Sequence, residues 1–310
     1  MKAVDIATLG ELLIDFTPYG VSTSGMTLYE RNPGGAPANV AVAAAKLGLK
    51  TAFIGKVGDD IHGRFLRSVL LNEGVSVQGL VLDKLSPTTL AFVELKENGD
   101  RDFAFIRKGC GDTRLTEEEL DPELIHSAKI LHVGTLSLTA EPARTATFKA
   151  LEAAKAAGVT ISCDVNWREP LWESREQFIN QTEMLLPLVD LLKVSDNEAE
   201  ILTGKKAYDE AAEQLKQKYN LKAVAVTLGA KGAYFLSDTE SGFIPAYKVK
   251  AIDSTGAGDC FWAACLYKHL ENCMLNKENV RFACAAASIC VERRGAIPAM
   301  PSLDEVKKRL

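Results

Sequence analysis

No apolar run in the sequence approaches the roughly 20 residues that a membrane span requires. The first residues, Met1-Lys-Ala-Val-Asp-Ile-Ala-Thr-Leu-Gly-Glu-Leu-Leu-Ile-Asp15, carry acids inside their apolar stretch. That argues against a secretory signal and for a first core strand. The seven cysteines, Cys110, Cys163, Cys260, Cys265, Cys273, Cys284 and Cys290, are odd in number and contain no Cys-x-x-Cys. A zinc ribbon or disulfide frame is therefore not expected, and reduced thiols in a cytoplasmic protein are. The histidines His62, His126, His132 and His269 lie far apart, which disfavours a histidine-built metal centre. No Gly-x-Gly-x-x-Gly follows the first strand and no Gly-x-x-x-x-Gly-Lys-Ser/Thr occurs. A dinucleotide-dependent dehydrogenase and a P-loop kinase are both disfavoured. A formal net charge of −5 leaves no basic surplus for nucleic acid or an anionic membrane.

What is present is an alternation. Apolar strand-like runs at residues 51–57, 130–133, 159–165, 191–194 and 223–227 are separated by helical stretches. This predicts an α/β fold with a mostly parallel central sheet and helices on both faces, its ligands gathered at the carboxyl ends of the strands. Two stretches, at about residues 14–33 and 88–108, interrupt the alternation and are richer in Thr, Phe, Tyr and charge. Asn98-Gly99 is a hairpin signal, and residues 90–95 and 103–107 alternate as paired strands do. A small β lid is the expected outcome, with surface hairpins remote from any ligand as the alternative.

Two glycine-rich helix starts carry the chemistry. In Asp253-Ser-Thr-Gly-Ala-Gly-Asp259, Gly256 and Gly258 let a ligand approach the backbone. The N–H groups of residues 256–259, Ala257 among them, then converge where the helix dipole adds positive charge, an arrangement suited to phosphate. Asp259 is either a first-turn residue favoured by that dipole or a base that takes a proton from a hydroxyl while the loop stabilises the phosphoryl group. In Asn32-Pro-Gly-Gly-Ala-Pro-Ala-Asn39, Gly34 and Gly35 admit something small, Pro37 suits a first helical turn, and Asn39 offers both donor and acceptor.

These two segments resemble the signature regions of the ribokinase-like (PfkB) carbohydrate kinases. Cys163-Asp-Val-Asn-Trp-Arg-Glu-Pro-Leu-Trp172, Lys193-Val-Ser-Asp-Asn-Glu-Ala-Glu200 and Arg294-Gly-Ala-Ile-Pro-Ala-Met-Pro301 extend the resemblance, most strongly to fructokinases. The resemblance implies one domain over residues 1–310, with the lid inserted at the two interruptions. It implies transfer of phosphate from ATP with Mg²⁺ to a sugar hydroxyl, D-fructose foremost and 2-keto-3-deoxygluconate next, with a sensor that has lost catalysis as the alternative from another class. K⁺ beside Asp253 and Gly295, and a homodimer formed through the lid, are further implications. For Asp253 the competing role is bonding to its own loop amides.

Residue by residue, the resemblance assigns Asp259 as base with Gly256, Ala257 and Gly258 around it. Asp15, Gly34, Gly35, Asn39, Arg107 and Arg168 are assigned to the sugar. For Arg107 a solvated hairpin charge, and for Arg168 a salt bridge to Asp164, are the competing readings. Lys193, Asn197, Glu200, Thr227, Gly229, Gly232 and Ser288 are assigned to the nucleotide. Ser195 and Glu198 have capping-box spacing, which accounts for them structurally. Cys284 stands where many relatives carry a polar residue, and Ser254 where threonine is commoner.

Overall fold

Strand β1 (Val4–Leu9) lies within a nine-stranded sheet, and its last four residues are buried. The computed structural model describes residues 2–95, 101–272 and 275–310, so the Asn98-Gly99 turn and Cys273 lie outside the described residues. The remaining strands are β2 (Leu13–Val21), β3 (Thr27–Gly34), β4 (Thr51–Gly58), β5 (Ser76–Asp83), β6 (Leu90–Leu95) and β7 (Arg101–Ile106). They continue as β8 (Ala128–Gly134), β9 (Thr160–Asp164), β10 (Leu191–Ser195), β11 (Ala223–Thr227), β12 (Gly232–Ser237) and β13 (Ser241–Pro245).

The large sheet has the order β13-β12-β11-β10-β9-β8-β1-β4-β5. Strands from β11 to β5 in that order run parallel, whereas β12 and β13 are antiparallel additions. All eight residues of β4 and the first four of β10 are buried, as expected of strands covered on both faces. The chain leaves β1 toward β4 on one side and later returns to β8 on the other. Strand order therefore reverses beside β1, where ligands of such sheets bind.

Strands β3-β2-β6-β7 form a separate four-stranded sheet. It is the expected lid, built from the two interruptions. β2 pairs antiparallel with β3 and parallel with β6. Phe16 stacks on Phe92 with ring centroids 5.0 Å apart, which ties β2 to β6. Tyr19, Val21, Met26, Leu28, Tyr29 and Ile106 leave apolar surface exposed on this sheet.

Helix Ala36–Lys46 packs against helix Ala257–Asn272. Buried Ala38, Ala41, Ala263 and Ala264 keep the facing surfaces small. This contact brings the two glycine-rich helix starts to one place. Among the described residues no helix is long and apolar enough to cross a membrane. The six described cysteines are buried and unpaired.

Candidate active site

The conformation of the turn at residues 254–259 follows from its local contacts. Gly256 has φ of 75°, and a Cβ there would stand 2.9 Å from Ala296 Cβ. Ala257 N–H closes back on Ser254 O at 3.2 Å, and Cys260 N–H on Gly256 O at 2.8 Å. The amides of Gly256, Gly258 and Asp259 remain as donors without an acceptor among the described residues. At Gly258 an added Cβ would lie 2.9 Å from Lys193 Nζ, so a buried ammonium sits directly against the turn.

Asp259 is 9% exposed, and its Oδ2 accepts Asn39 Nδ2–H at 2.7 Å. Burial raises its pKa above the ordinary carboxyl value, against the pull of Lys193, the Asn39 bond and Arg168. Asn39 Oδ1 is buried without a partner among the described residues. An oxygen in that state suits a donor carried by a bound substrate.

Two cavities meet at the turn. One of about 510 Å³ is lined by Glu11, Asp15, Asn39, Arg168, Lys193 and Asp259, with Val93 and Phe105 contributed by the lid. The other, of about 890 Å³, is lined by Thr227, Gly229, Gly232, Cys284 and Ser288, with Lys248 and Lys250 at its edge. Ser254 and Gly258 line both. The smaller cavity is the more polar of the two and holds the carboxylates. The larger is mostly apolar, as a flat heteroaromatic ligand requires. Ser288 Oγ donates to Ala285 O at 2.7 Å. Cys284 on that wall is the departure from a polar residue noted above.

The floor of the smaller cavity follows from close packing. A Cβ on Gly34 would fall 2.4 Å from Asp15 Oδ2, and one on Gly35, where φ is 110°, would fall 2.3 Å from Glu11 O. At position 35 only glycine fits, whereas a side chain at position 34 would displace the Asp15 carboxylate. Burial pushes the Asp15 carboxyl up to about 6, Arg168 pulling it down and Asp253 and Asp259 pushing it further up.

Several expectations are revised by the coordinates. Asp164 pairs with Lys193, both oxygens 2.9 Å from Nζ, rather than with Arg168. The two residues are register partners on adjacent strands β9 and β10. Arg168 is exposed, lines the cavity and donates to its own neighbour Trp167 O. Arg107 is not a solvated hairpin charge, nor does it line the cavity. Its Nε donates to Asp112 at 2.6 Å, and its terminal nitrogens donate to Thr139 Oγ1 and Leu136 O. Asn197 and Glu200 are exposed and line neither cavity. Ser195 and Glu198 occupy the wall instead.

The reason for that exchange is helical phase. The capping box folds the third residue of helix Asp196–Thr203 back over the N-terminus, so Glu198 Oε2 accepts Ser195 N–H and Oε1 accepts Trp167 N–H at 2.7 Å. Residues 197 and 200 project away from it. Sequence reading also missed Glu11, Asn166 and Thr255 on the same wall. Asn166 has φ of 50°, a conformation uncommon outside glycine. Its place just past β9 was the available signal.

Asp253 joins two segments. Oδ1 accepts from Thr255 N and Oγ1, and Oδ2 accepts Gly295 N–H at 3.1 Å. Val291 O accepts from Ile252 N and Asp253 N, strengthening the junction. Among the described residues no group of three or more His, Cys, Asp or Glu side chains forms a metal cluster.

The model of the pfkB family carbohydrate kinases matches residues 4–303. Fructokinase-2 of Solanum lycopersicum is 44% identical over 308 residues, covering 97% of this chain and 94% of that protein. The crystal structure of a fructokinase from Xylella fastidiosa with bound ATP superposes with a TM-score of 0.88 at 31% identity, covering 98% and 97% of the two chains. A double-mutant fructokinase from Vibrio cholerae O395 in a fructose-, ADP- and potassium-bound form gives 0.88 at 32% identity, covering 100% and 99%. With a family match over nearly its full length and two cavities joined at a glycine-rich helix start, the chain belongs to the pfkB family of carbohydrate kinases.

Proposed function

We infer that residues 1–310 act as a single-domain, ATP-dependent fructokinase that converts D-fructose to fructose 6-phosphate. The observation that carries the reading is the meeting of a carboxylate-lined acceptor cavity and a nucleotide-sized apolar cavity at Ser254 and Gly258, with Asp259 on the acceptor side of that junction. The sugar occupies the smaller cavity, its hydroxyls meeting Asp15 and Asn39. Asp259 takes the proton of the attacking hydroxyl, its elevated pKa making it a stronger base than an exposed carboxylate. The amides of Gly256, Gly258 and Asp259 receive the charge of the phosphoryl group in transit, and Lys193 reinforces them.

Mg²⁺ enters as part of MgATP, held mainly by the nucleotide phosphates and water. Ser195 and Glu198 are the wall residues that would meet its hydration shell. K⁺ fits the Asp253–Gly295 junction through backbone carbonyls, since the Asp253 side chain is occupied in holding the two segments together. The apolar surface left on the lid supports a homodimer formed through it, for which light scattering is the direct measurement. Buried unpaired thiols support a reducing, cytoplasmic setting.

The test is ADP release by the purified protein over a panel of sugars with MgATP. Fructose is expected to give the highest kcat/KM. Preference for 2-keto-3-deoxygluconate would move the reading within the family, toward the positive charge of Arg168. Absence of turnover with every sugar, together with retained ATP binding, would support a sensor. The intact Gly256–Asp259 turn argues against that outcome.

A further inference from the structure

Glu11 follows β1 and lines the acceptor cavity beside Asp15, Gly35 and Asn39, yet none of the roles above uses it. Its side chain is 2% exposed. Oε1 accepts Ala36 N–H at 2.9 Å and so caps, from another segment, a helix whose own cap residue Gly35 has no side chain. Oε2 is buried and has no partner among the described residues. A carboxylate oxygen removed from water without a donor is costly, and folded proteins rarely leave one so. The buried cation of this cavity, Lys193, is committed to Asp164 beside Gly258. Arg107 is tied to Asp112. Neither supplies the missing donor.

Resting on the sugar-kinase reading, we propose that Glu11 determines acceptor specificity: Oε2 accepts a hydroxyl of the bound sugar, and its charge disfavours an acceptor carrying a carboxylate at that end. A sugar hydroxyl donates one hydrogen bond and satisfies the orphaned oxygen. A carboxylate on the substrate brings a second acceptor and a like charge to the same place. Burial pushes the Glu11 carboxyl up to about 7, with its own backbone amide, Arg107 and the Ala36 bond opposing and Asp112 adding to the rise. Donation from a sugar hydroxyl stabilises the ionised form and pulls it back down.

The experiment is Glu11→Gln, which keeps the size and an oxygen for Ala36 N–H while removing the charge and placing a donor at Oε2. Steady-state kinetics at pH 8 would be run with D-fructose, with 2-keto-3-deoxygluconate and with varied ATP. KM for fructose is expected to rise about 10-fold, KM for ATP to stay unchanged, and the preference for fructose over the carboxylated sugar to shrink about 10-fold. Glu11→Asp, which keeps the charge, should retain that preference. An unchanged fructose KM and preference in Glu11→Gln overturns the proposal. So does a variant that loses ATP binding and melting temperature together, since that outcome assigns Glu11 to the fold. Failure of the sugar-kinase reading itself is visible in the wild-type panel alone.

Discussion

Asn39 Nδ2 donates to Asp259 Oδ2 over 2.7 Å, joining two helix starts 220 positions apart in the chain. The bond favours the ionised carboxylate and so opposes the burial that raises its pKa. Removing it in Asn39→Ala should move the acid limb of the kcat profile to higher pH. An unmoved limb in a folded variant would show that Asn39 serves only the sugar.

On the role proposed for Asp259, Asp259→Asn keeps the shape and removes the base. Turnover should fall by a factor on the order of 10²–10⁴, with sugar affinity far less affected. Near-normal kcat, measured by ADP release, would reassign the base.

Much of this centre was legible in the sequence because it is local. Glycines at Gly34, Gly35, Gly256 and Gly258, each pair at the start of a helix, announce close approach to a backbone. Asp259 and Asn39 are placed by their own segments. Less legible were contacts that depend on which strands become neighbours. Lys193 meets Asp164 only because β9 and β10 are adjacent and in that register. Choosing between Glu198 and Glu200 needed the helix phase, and the capping box alone was already a sufficient reason for Glu198 to exist. Arg107 turned on Asp112, five residues later, across a bend that no periodicity reveals. The lid was readable as interruption of the alternation, whereas the residues it sends into the cavity, Val93 and Phe105, were not.

Gly258→Ala separates rate from stability. The added Cβ would meet the end of the Lys193 side chain at 2.9 Å, on the path between the two cavities. Lys193 must shift slightly within its buried pairing with Asp164, a cost offset by alanine's being the better helix former. The melting temperature should hold or rise slightly, while kcat falls on the order of 10²-fold from misplacement of the phosphoryl path. A matched loss of both would place Gly258 among the structural glycines.

Asp15 predicts opposite pH trends for activity and stability. Its carboxyl lies at about 6 in the folded protein against an ordinary 3.8, burial being the main cause. Because the folded value is raised, its contribution to stability is complete below pH 3.8 and is lost as pH rises through about 6. Accepting sugar hydroxyls needs the ionised form, so kcat/KM for the sugar should instead gain as pH rises through about 6. Asp15→Asn should flatten the first trend in thermal melts without sugar and lower kcat/KM at neutral pH. A melting profile over that range identical to wild type would contradict the assignment.

The Asp253–Gly295 junction predicts a response to monovalent cation. Asp253 gives its oxygens to Thr255 and Gly295, and Val291 O holds the amides of Ile252 and Asp253. These bonds fix the start of the anion-binding turn to the segment that ends at Gly295. Carbonyls from the two segments would have to supply a K⁺ site, because the Asp253 carboxylate is already committed. A cation there would steady the amides of Gly256 and Gly258 as they face the phosphate, an effect on rate more than on fold. Replacing K⁺ by a large organic cation at constant ionic strength, with MgATP saturating, should lower kcat several-fold and leave the melting temperature nearly unchanged. Asp253→Asn keeps one acceptor and places a donor where Gly295 N–H now points, so it should lower kcat even with K⁺ present. If neither the ion exchange nor the substitution alters kcat, Asp253 is a structural tie and the turn holds its shape without a cation.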